Sequence, residues 1–259
     1  TSFPEDLTLE CDEELPGDLP GAVDNCSEVN VTFEDSIEQG QGLGNYVVSR
    51  TFTATDACGN ATSAVRTFTV QDTTAPEFTL VPAGYTVECS DEIPMEDATA
   101  SDNCGEVTIE VTIETIPGDA TGNYVIVRTF TATDDAGNAA VETQTIEVED
   151  TTAPELTLPE DYTVECSSDM LMEDAIALDN CGEVVVTLTT DTLLGNAAGN
   201  YQILRTFEAS DDAGNSTSGT QTITVVDTTA PVVTLPADTT VSCDAVIPVW
   251  EPLAEDNCG

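Results

Sequence analysis

Lysine and histidine are missing from this 259-residue sequence, and arginine occurs only four times. Without lysine there is no Schiff-base chemistry. Without histidine there is no Ser-His-Asp or Cys-His dyad and no imidazole-ligated zinc or haem. So few cations cannot form a basic patch, which excludes nucleic acid, anionic lipid and polyphosphate as natural partners. One tryptophan, Trp250, leaves little for a sugar-stacking platform. The sequence begins at Thr1 without a charged leader or a long apolar run, so it predicts no signal peptide and no membrane span in this segment. What is abundant is acid: 50 Asp and Glu residues give a formal charge of −46. Hydrophobic residues still make up 40%, so a buried core is expected and the chain reads as a folded polyanion rather than an acidic tail.

The chain aligns on itself. Asp-Thr-Thr-Ala-Pro occurs at 72–76, 150–154 and 227–231, spacings of 78 and 77. Asp-Asn-Cys (24–26, 102–104, 179–181, 256–258), Gly-Asn-Tyr (44–46, 122–124, 199–201) and Arg-Thr-Phe (50–52, 128–130, 205–207) keep the same register. The expected domains are repeats at 1–71, 72–149 and 150–226 and a partial fourth at 227–259. Within a repeat the apolar period is two, as in Val107, Ile109, Val111 and Ile113, which predicts half-buried strands. Further strands are expected near Phe78–Leu80, Tyr85–Cys89, Tyr124–Thr133 and Ala140–Glu149, and no helix is signalled. A Tyr opening the penultimate strand (Tyr46, Tyr124, Tyr201) fits the tyrosine corner of a sandwich. The expected fold is all-β: tandem immunoglobulin-like antiparallel β-sandwiches with a period of 77–78 residues.

Asp-Thr-Thr-Ala-Pro, Asp-Asn-Cys-Gly, Arg-Thr-Phe-Thr-Ala-Thr-Asp and the Gly-Asn turn resemble hyalin-type (HYR-like) repeats. The resemblance covers the whole chain. It implies an immunoglobulin-like module of long secreted proteins, including bacterial surface adhesins of the Bacteroidota and extracellular matrix proteins. It also implies a stalk, filament or adhesive role.

The cysteines fall at 11 and 26, 89 and 104, 166 and 181, 243 and 258, each pair separated by 15, with Cys58 left over. The equal spacing suggests four bridges within repeats, each closing a short loop worth about 3 kcal/mol. Zinc is the alternative, although no Cys-x2-Cys pair is present. Disulfides imply an oxidising, secreted or cell-surface setting. Cys58 occupies the turn position held by Ala136 and Ala213. It reads as a relic or free thiol, with an intermolecular bond as the alternative.

A charge density of about fifteen net negatives per sandwich approaches that of DNA, so divalent cations should gather, Ca²⁺ first and Mg²⁺ second. Three acidic groups recur: the linker Asp72, Asp150 and Asp227; Asp102-Asn103 and Asp179-Asn180 before the second cysteine; and the hairpin pairs Asp134-Asp135 and Asp211-Asp212. In an immunoglobulin-like sandwich these loops lie at one end, so all three could converge between repeats and hold Ca²⁺, by analogy with cadherin-like linkers. Turn and cap formation is the competing reading. A salt-tolerant surface also accounts for the acidity.

Arg50, Arg128 and Arg205 share one repeat position in register with the core face, which predicts burial, a carboxylate partner such as the Asp of Asp-Asn-Cys, and aromatic stacking. Asn-x-Ser/Thr sequons stand at Asn25, Asn30, Asn60 and Asn215, and Thr73, Thr151 and Thr228 are candidate O-glycosylation sites. The leading functional reading is a non-enzymatic extracellular stalk, adhesin or filament stiffened by Ca²⁺. Its partners would be neighbouring repeats of the same or an identical chain, with surface glycans or a substratum as targets. A carbohydrate-binding module or accessory repeats of a larger secreted enzyme are the alternatives. Residues 232–259 supply only the first strands of a fourth sandwich, so further chain or a neighbouring subunit is expected to complete it.

Overall fold

A computed structural model describes residues 3–247, 249 and 251–258; Trp250 lies outside them. No helix occurs among the described residues, and none is long and apolar enough to cross a membrane. The strands are β1 (Leu7–Glu10), β2 (Val29–Gln39), β3 (Tyr46–Asp56), β4 (Ala61–Gln71), β5 (Glu77–Leu80) and β6 (Tyr85–Glu88). Next come β7 (Thr99–Ser101), β8 (Val107–Pro117), β9 (Tyr124–Asp134), β10 (Ala139–Glu149), β11 (Glu155–Thr157) and β12 (Tyr162–Glu165). The chain ends with β13 (Ile176–Leu178), β14 (Val185–Leu194), β15 (Tyr201–Ser210), β16 (Ser216–Val226), β17 (Val232–Thr234) and β18 (Leu253–Glu255).

Two compact units divide the chain. The first holds the residues up to Val87, Glu92–Pro117 and Val125–Glu147; the second holds Glu88–Asp91, Gly118–Tyr124 and everything from Val148 onward. The first unit contains the sheet β1-β4-β3-β2, most of the sheet β6-β10-β9-β8, and the two-stranded sheet β5-β7. The second contains β12-β16-β15-β14 and the pairs β11-β13 and β17-β18. Tandem all-β modules are therefore present. Hairpin neighbours pair antiparallel, but the short edge strands pair parallel: β1 runs parallel to β4 and β12 to β16. That parallel edge was absent from the sequence expectation, and it decides where the first cysteine of each repeat ends up.

Alternation builds the core as expected. In β9, Ile126, Phe130 and Ala132 are buried, and Ile146 faces inward from β10. In the second unit Ile203, Ile223 and Val225 form a cluster with Tyr162, Val164 and Tyr201 around it. Burying such side chains contributes about 1.5–3 kcal/mol each. Tyr46, Tyr124 and Tyr201 do open β3, β9 and β15. The hydroxyls that reach backbone carbonyls belong to other tyrosines, Tyr85 to Pro94 at 2.8 Å and Tyr162 to Leu171 at 2.7 Å. The fourth segment leaves Val232, Leu235, Val246 and Ile247 exposed.

All three recurring arginines are buried, each against a phenylalanine ring. A carboxylate partner is found for Arg50, in Asp35, whereas Arg128 and Arg205 bond a glutamine and a backbone carbonyl in its place, and none of the three bonds the Asp of Asp-Asn-Cys. Arg128 Nη1 donates to Gln144 Oε1 at 2.8 Å and to the Glu96 carbonyl at 2.7 Å. Arg205 does the same with Gln221 at 2.9 Å and Glu173 at 2.6 Å. The nearby carboxylates, Asp97 and Asp174, are exposed and stand 4.0 and 3.6 Å away. The reason lies in the register: Gln221 is directly across the ladder from Arg205, whereas Asp102 and Asp179 lie in loops outside the sheets. Only Arg50 has a carboxylate in close contact, Asp35.

Candidate metal centre at the repeat junctions

The disulfides do not close within repeats. They join Cys11 to Cys104, Cys89 to Cys181 and Cys166 to Cys258, with Cα–Cα distances of 5.9, 6.0 and 5.9 Å. These distances suit a bridge. Cys26 and Cys243, expected in bridges, are free and exposed, as is Cys58. The parallel edge strand is the physical cause. It carries the first cysteine to the exit end of its own sandwich, where Cys89 N–H donates to the Glu149 carbonyl and Cys166 N–H to that of Val226, both at 3.0 Å. There the Asp-Asn-Cys loop of the following repeat arrives. Equal spacing of 15 could not reveal this, because every pair of equivalent positions repeats with one period.

Beside the bridges the acidic groups converge. Carboxylate oxygens of Asp72, Asp102 and Asp134 lie within 4.8 Å of one another, and so do those of Asp150, Asp179 and Asp211. Each trio combines a linker aspartate with the Asp-Asn-Cys and hairpin aspartates that follow it in the sequence. Backbone chemistry fixes each member. Asn123 Oδ1 accepts from Asp150 N–H at 2.7 Å, and Asn215 Nδ2 donates to the Asp150 carbonyl at 3.1 Å. Asp179 Oδ1 accepts from Cys181 N–H at 2.8 Å. Asp211 Oδ1 accepts from Gly214 and Asn215 N–H at 2.8 and 2.9 Å. The first junction repeats this with Asn45, Asn138, Cys104 and Gly137. These residues do make turns, as the competing reading held, yet the turns leave oxygens over. Asp102 Oδ2, Asp150 Oδ2 and Asp179 Oδ2 are buried without a hydrogen-bond partner. Asp72 and Asp150 are only 6% and 5% exposed, where an unpaired charge is costly.

The electrostatics agree with the geometry. Burial, with repulsion from Asp179, Asp211 and Glu88, pushes the Asp150 carboxyl above its ordinary range despite the Thr152 N–H bond. Burial raises Asp72 likewise, with Asp102, Asp134 and Glu10 repelling it. Burial acts upward on Asp134 too, but bonds from Asn138, Gly137 and Ala136 outweigh it and leave that carboxyl below the ordinary range. A hard cation taking oxygen ligands fits three converging carboxylates with spare lone pairs, and nothing there supplies nitrogen.

Other expected ligands lie elsewhere. Asn180 Nδ2 donates to Glu88 Oε1 at 3.2 Å and Ser90 Oγ at 3.1 Å; Asn103 points at Cys11 Sγ. Asp212 Oδ2 accepts from Thr121 N–H and Oγ1 at 2.9 and 2.7 Å, and Asp135 is exposed outside the trio. Their side chains point away from the trio because the preceding aspartate of each loop takes the inward position. Among the described residues Asp227 joins no carboxylate trio; it sits with Glu165 and the Cys166–Cys258 sulfurs.

Sequence reasoning missed Glu10, Glu88 and Glu165, although Glu-Cys recurs at 10–11, 88–89 and 165–166. Glu88 Oε2 accepts from Thr151 Oγ1 at 2.7 Å and Glu165 Oε2 from Thr228 Oγ1 at 2.7 Å. Thr73 Oγ1 bonds Glu10 in the same way. The threonine bonds hold Glu88 and Glu165 below the usual carboxylate range. The three threonines named for O-glycosylation therefore have engaged hydroxyls, and Asn215 of the sequons has its amide spent on Asp150 and Asp211.

Residues 79–148 match the profile of an HYR-like domain with 4 cysteines. The chain is similar to a hyalin of Strongylocentrotus purpuratus, 34% identical over 235 residues, covering 80% of this chain and 19% of that protein. It is also similar to a hyalin of Lytechinus variegatus, 32% identical over 271 aligned residues, covering 93% of this chain and 49% of that one. The chain thus spans about half or less of the relatives it matches. Hyalins are animal proteins, so the bacterial setting drawn from the resemblance is not supported. Among solved structures, a protocadherin gammaB7 EC3-6 fragment covers 100% of this chain and 84% of its own at 15% identity and a TM-score of 0.34. Drosophila N-cadherin EC1-4 covers 78% and 67% at 13% identity and 0.30. Scores this low carry no argument. The HYR-like match over residues 79–148, the disulfides and the all-β modules together mark an extracellular or cell-surface segment.

Proposed function

We propose that this chain is a non-enzymatic, adhesive or structural segment of an extracellular protein, in which Ca²⁺ bound at the repeat junctions fixes each module to the next. The observation that carries the metal reading is the pair of buried, unpartnered oxygens, Asp150 Oδ2 and Asp179 Oδ2, facing Asp211 with no cationic side chain in the group. Asp72, Asp102 and Asp134 would hold a second ion at the preceding junction. The bridge and the ion act together: the disulfide holds the two ends in contact, and the ion removes the mutual repulsion of the carboxylates. Mg²⁺ is the weaker candidate because it demands strict octahedral geometry and keeps its waters.

Calcium titration by calorimetry on the chelator-treated chain tests this. Two saturable sites are expected, each adding a stabilisation of about 2–3 kcal/mol at a hundredfold excess over Kd. Asp179→Asn should remove one site and leave the other. A weak, unsaturable heat that disappears in 0.5 M salt would identify a diffuse counterion cloud instead. If chelation changes neither melting temperature nor hydrodynamic radius, the stiffening role is lost.

A further inference from the structure

One aspartate at each junction belongs both to the carboxylate trio and to the surroundings of the bridge. An oxygen of Asp150 lies within 4.8 Å of the Asp179 and Asp211 oxygens, and Asp150 also groups within 4.8 Å with Glu88 and the Cys89 and Cys181 sulfurs. At the first junction Asp72 stands with Asp102 and Asp134 and, in the same way, with the Cys11 and Cys104 sulfurs. Bridge and trio therefore meet at a single buried carboxylate.

A second link runs along the backbone. Asp179 precedes Cys181 by two residues, and its Oδ1 accepts the Cys181 N–H at 2.8 Å; Asp102 and Cys104 repeat this bond at 2.8 Å. The Asx turn makes aspartate and cysteine one local unit. Whatever holds the cysteine holds the other oxygen too, and Oδ2 of Asp179 and of Asp102 is the one buried without a donor. The remaining members are placed by other bonds. Asp211 is fixed by Gly214 and Asn215 N–H, and Asn215 Nδ2 reaches the Asp150 carbonyl at 3.1 Å. The β11–β13 ladder brings the Asp179 loop to the junction but stops at Leu178. Past it, the Asn180 Nδ2 bonds to Glu88 and Ser90, at 3.2 and 3.1 Å, are exposed. The Cys89–Cys181 bond is thus the covalent restraint that seats Asp179 against two like charges.

We infer that the cation site is gated by the redox state of its bridge: reducing Cys89–Cys181 frees Asp179 from Asp150 and Asp211 and weakens the site, and the bound ion in turn protects the bridge from reduction. This rests on the metal reading above and adds its regulation. With the bridge closed, the ion meets three carboxylates already assembled. With it open, the carboxylates repel, Asp179 turns to water, and the ion must draw it back and order the loop. Both effects are one coupling free energy, so the factor by which reduction weakens Ca²⁺ must equal the factor by which Ca²⁺ shifts the dithiol–disulfide equilibrium. Dithiothreitol serves as reductant. One of its thiolates attacks a bridge sulfur and expels the other cysteine as thiolate; its second thiol then closes a cyclic disulfide and releases the first. Its two protons pass to the cysteines, so the bridge gains two electrons and dithiothreitol loses two. The cycle matches an extracellular segment, where the surroundings keep the bridge closed.

The test uses the full chain with Cys26, Cys58 and Cys243 replaced by Ser, leaving the three bridges. Calorimetric titration of CaCl₂ into the oxidised and the reduced chain should show affinity falling about tenfold or more on reduction. A Cys89→Ser, Cys181→Ser variant, with the other bridges intact, makes the same comparison at the second junction without reductant. Dithiothreitol redox titrations, with each bridge followed by mass spectrometry of alkylated peptides, should show Ca²⁺ shifting the Cys89–Cys181 equilibrium toward the disulfide by the same factor. Asp211→Asn should abolish that shift and leave the shift at Cys11–Cys104. Equal saturable affinity with the bridge open and closed overturns the gating while the metal reading stands; no saturable binding to the oxidised chain overturns both. A Ca²⁺ shift at Cys166–Cys258 as large as that at Cys89–Cys181 would show a general ionic effect and also overturn the gating, since no carboxylate trio is found beside that bridge among the described residues.

Discussion

Asp35 grips Arg50 with both carboxylate oxygens, Oδ1 to Nε at 2.7 Å and Oδ2 to Nη2 at 2.8 Å. Arg50 faces Asp35 on one neighbouring strand and Arg66 on the other, and Arg66 stands where the third repeat has Gln221. The first repeat has thus exchanged a neutral acceptor for a second cation and gained a carboxylate across the ladder. Asp35→Asn should destabilise the first sheet by about 2 kcal/mol, with Arg66→Gln restoring part of the loss by supplying the acceptor that Arg205 uses. Denaturant melts of the single and double variants measure it.

The same pair sets an acid limit. Hydrogen bonding and charge from Arg50 hold Asp35 below the ordinary carboxylate range. Its contribution is therefore fully present above the unfolded pKa of about 4 and is lost as pH falls through the folded value. Between pH 5 and pH 2 the stability gap between wild type and Asp35→Asn should close. A gap that stays constant contradicts the ion pair.

Asp150 titrates in the opposite sense. Its carboxyl is raised by burial and by neighbouring acids, so without metal the folded state binds the extra proton and stability falls as pH rises through the window above the unfolded pKa. Comparing wild type with Asp150→Asn isolates this group from Asp134 and Glu88, which shift downward. In chelator the variant should match or exceed wild type at pH 7 by up to about 1 kcal/mol; in saturating Ca²⁺ it should be less stable. Melting temperatures in the two buffers give the sign change directly.

The bridges across repeats predict their own removal. A non-reduced peptide map should contain Cys89 joined to Cys181 and no Cys89–Cys104 peptide. Replacing both members by Ser releases a loop constraint of 92 residues, worth about 2–4 kcal/mol in practice. Thermal unfolding with and without reductant should show the loss only in the oxidised wild type.

Gly122 tests how tightly that bridge is seated. Its φ is +87°, and an added Cβ would stand 3.0 Å from Cys181 Cβ and 3.4 Å from Cys89 Cβ. Gly137 has a φ of +96° with open space around it. Both alanine variants carry the backbone strain, about 1 kcal/mol, but only Gly122→Ala should add a packing loss and slow bridge formation. Equal effects would mean that the loop is not packed beneath the disulfide.

Strand positions were legible because period-two alternation is a local signal: β9 and β10 fall within a residue of the stretches read from Tyr124 and Ala140. The convergence of Asp150, Asp179 and Asp211 was legible because all three recur beside turn residues at one end of a sandwich. Gln144 and Gln221 were not, since a neutral side chain in a strand gives no sign of the cation it faces until the register is known. Glu88 escaped for a different reason. Its role depends on Thr151, 63 residues away, which the edge pairing of β6 with β10 brings near.

The sequence by itself determined the all-β class, the repeat, the excess of acid and the buried arginine stripe, all set by composition and short-range periodicity. The tertiary structure decided which cysteine bonds which, and which carboxylate oxygens are left without donors. A periodic sequence defines a position only up to a whole repeat. Distance in space, set here by the parallel edge strand, chooses between a neighbour in the same module and one in the next.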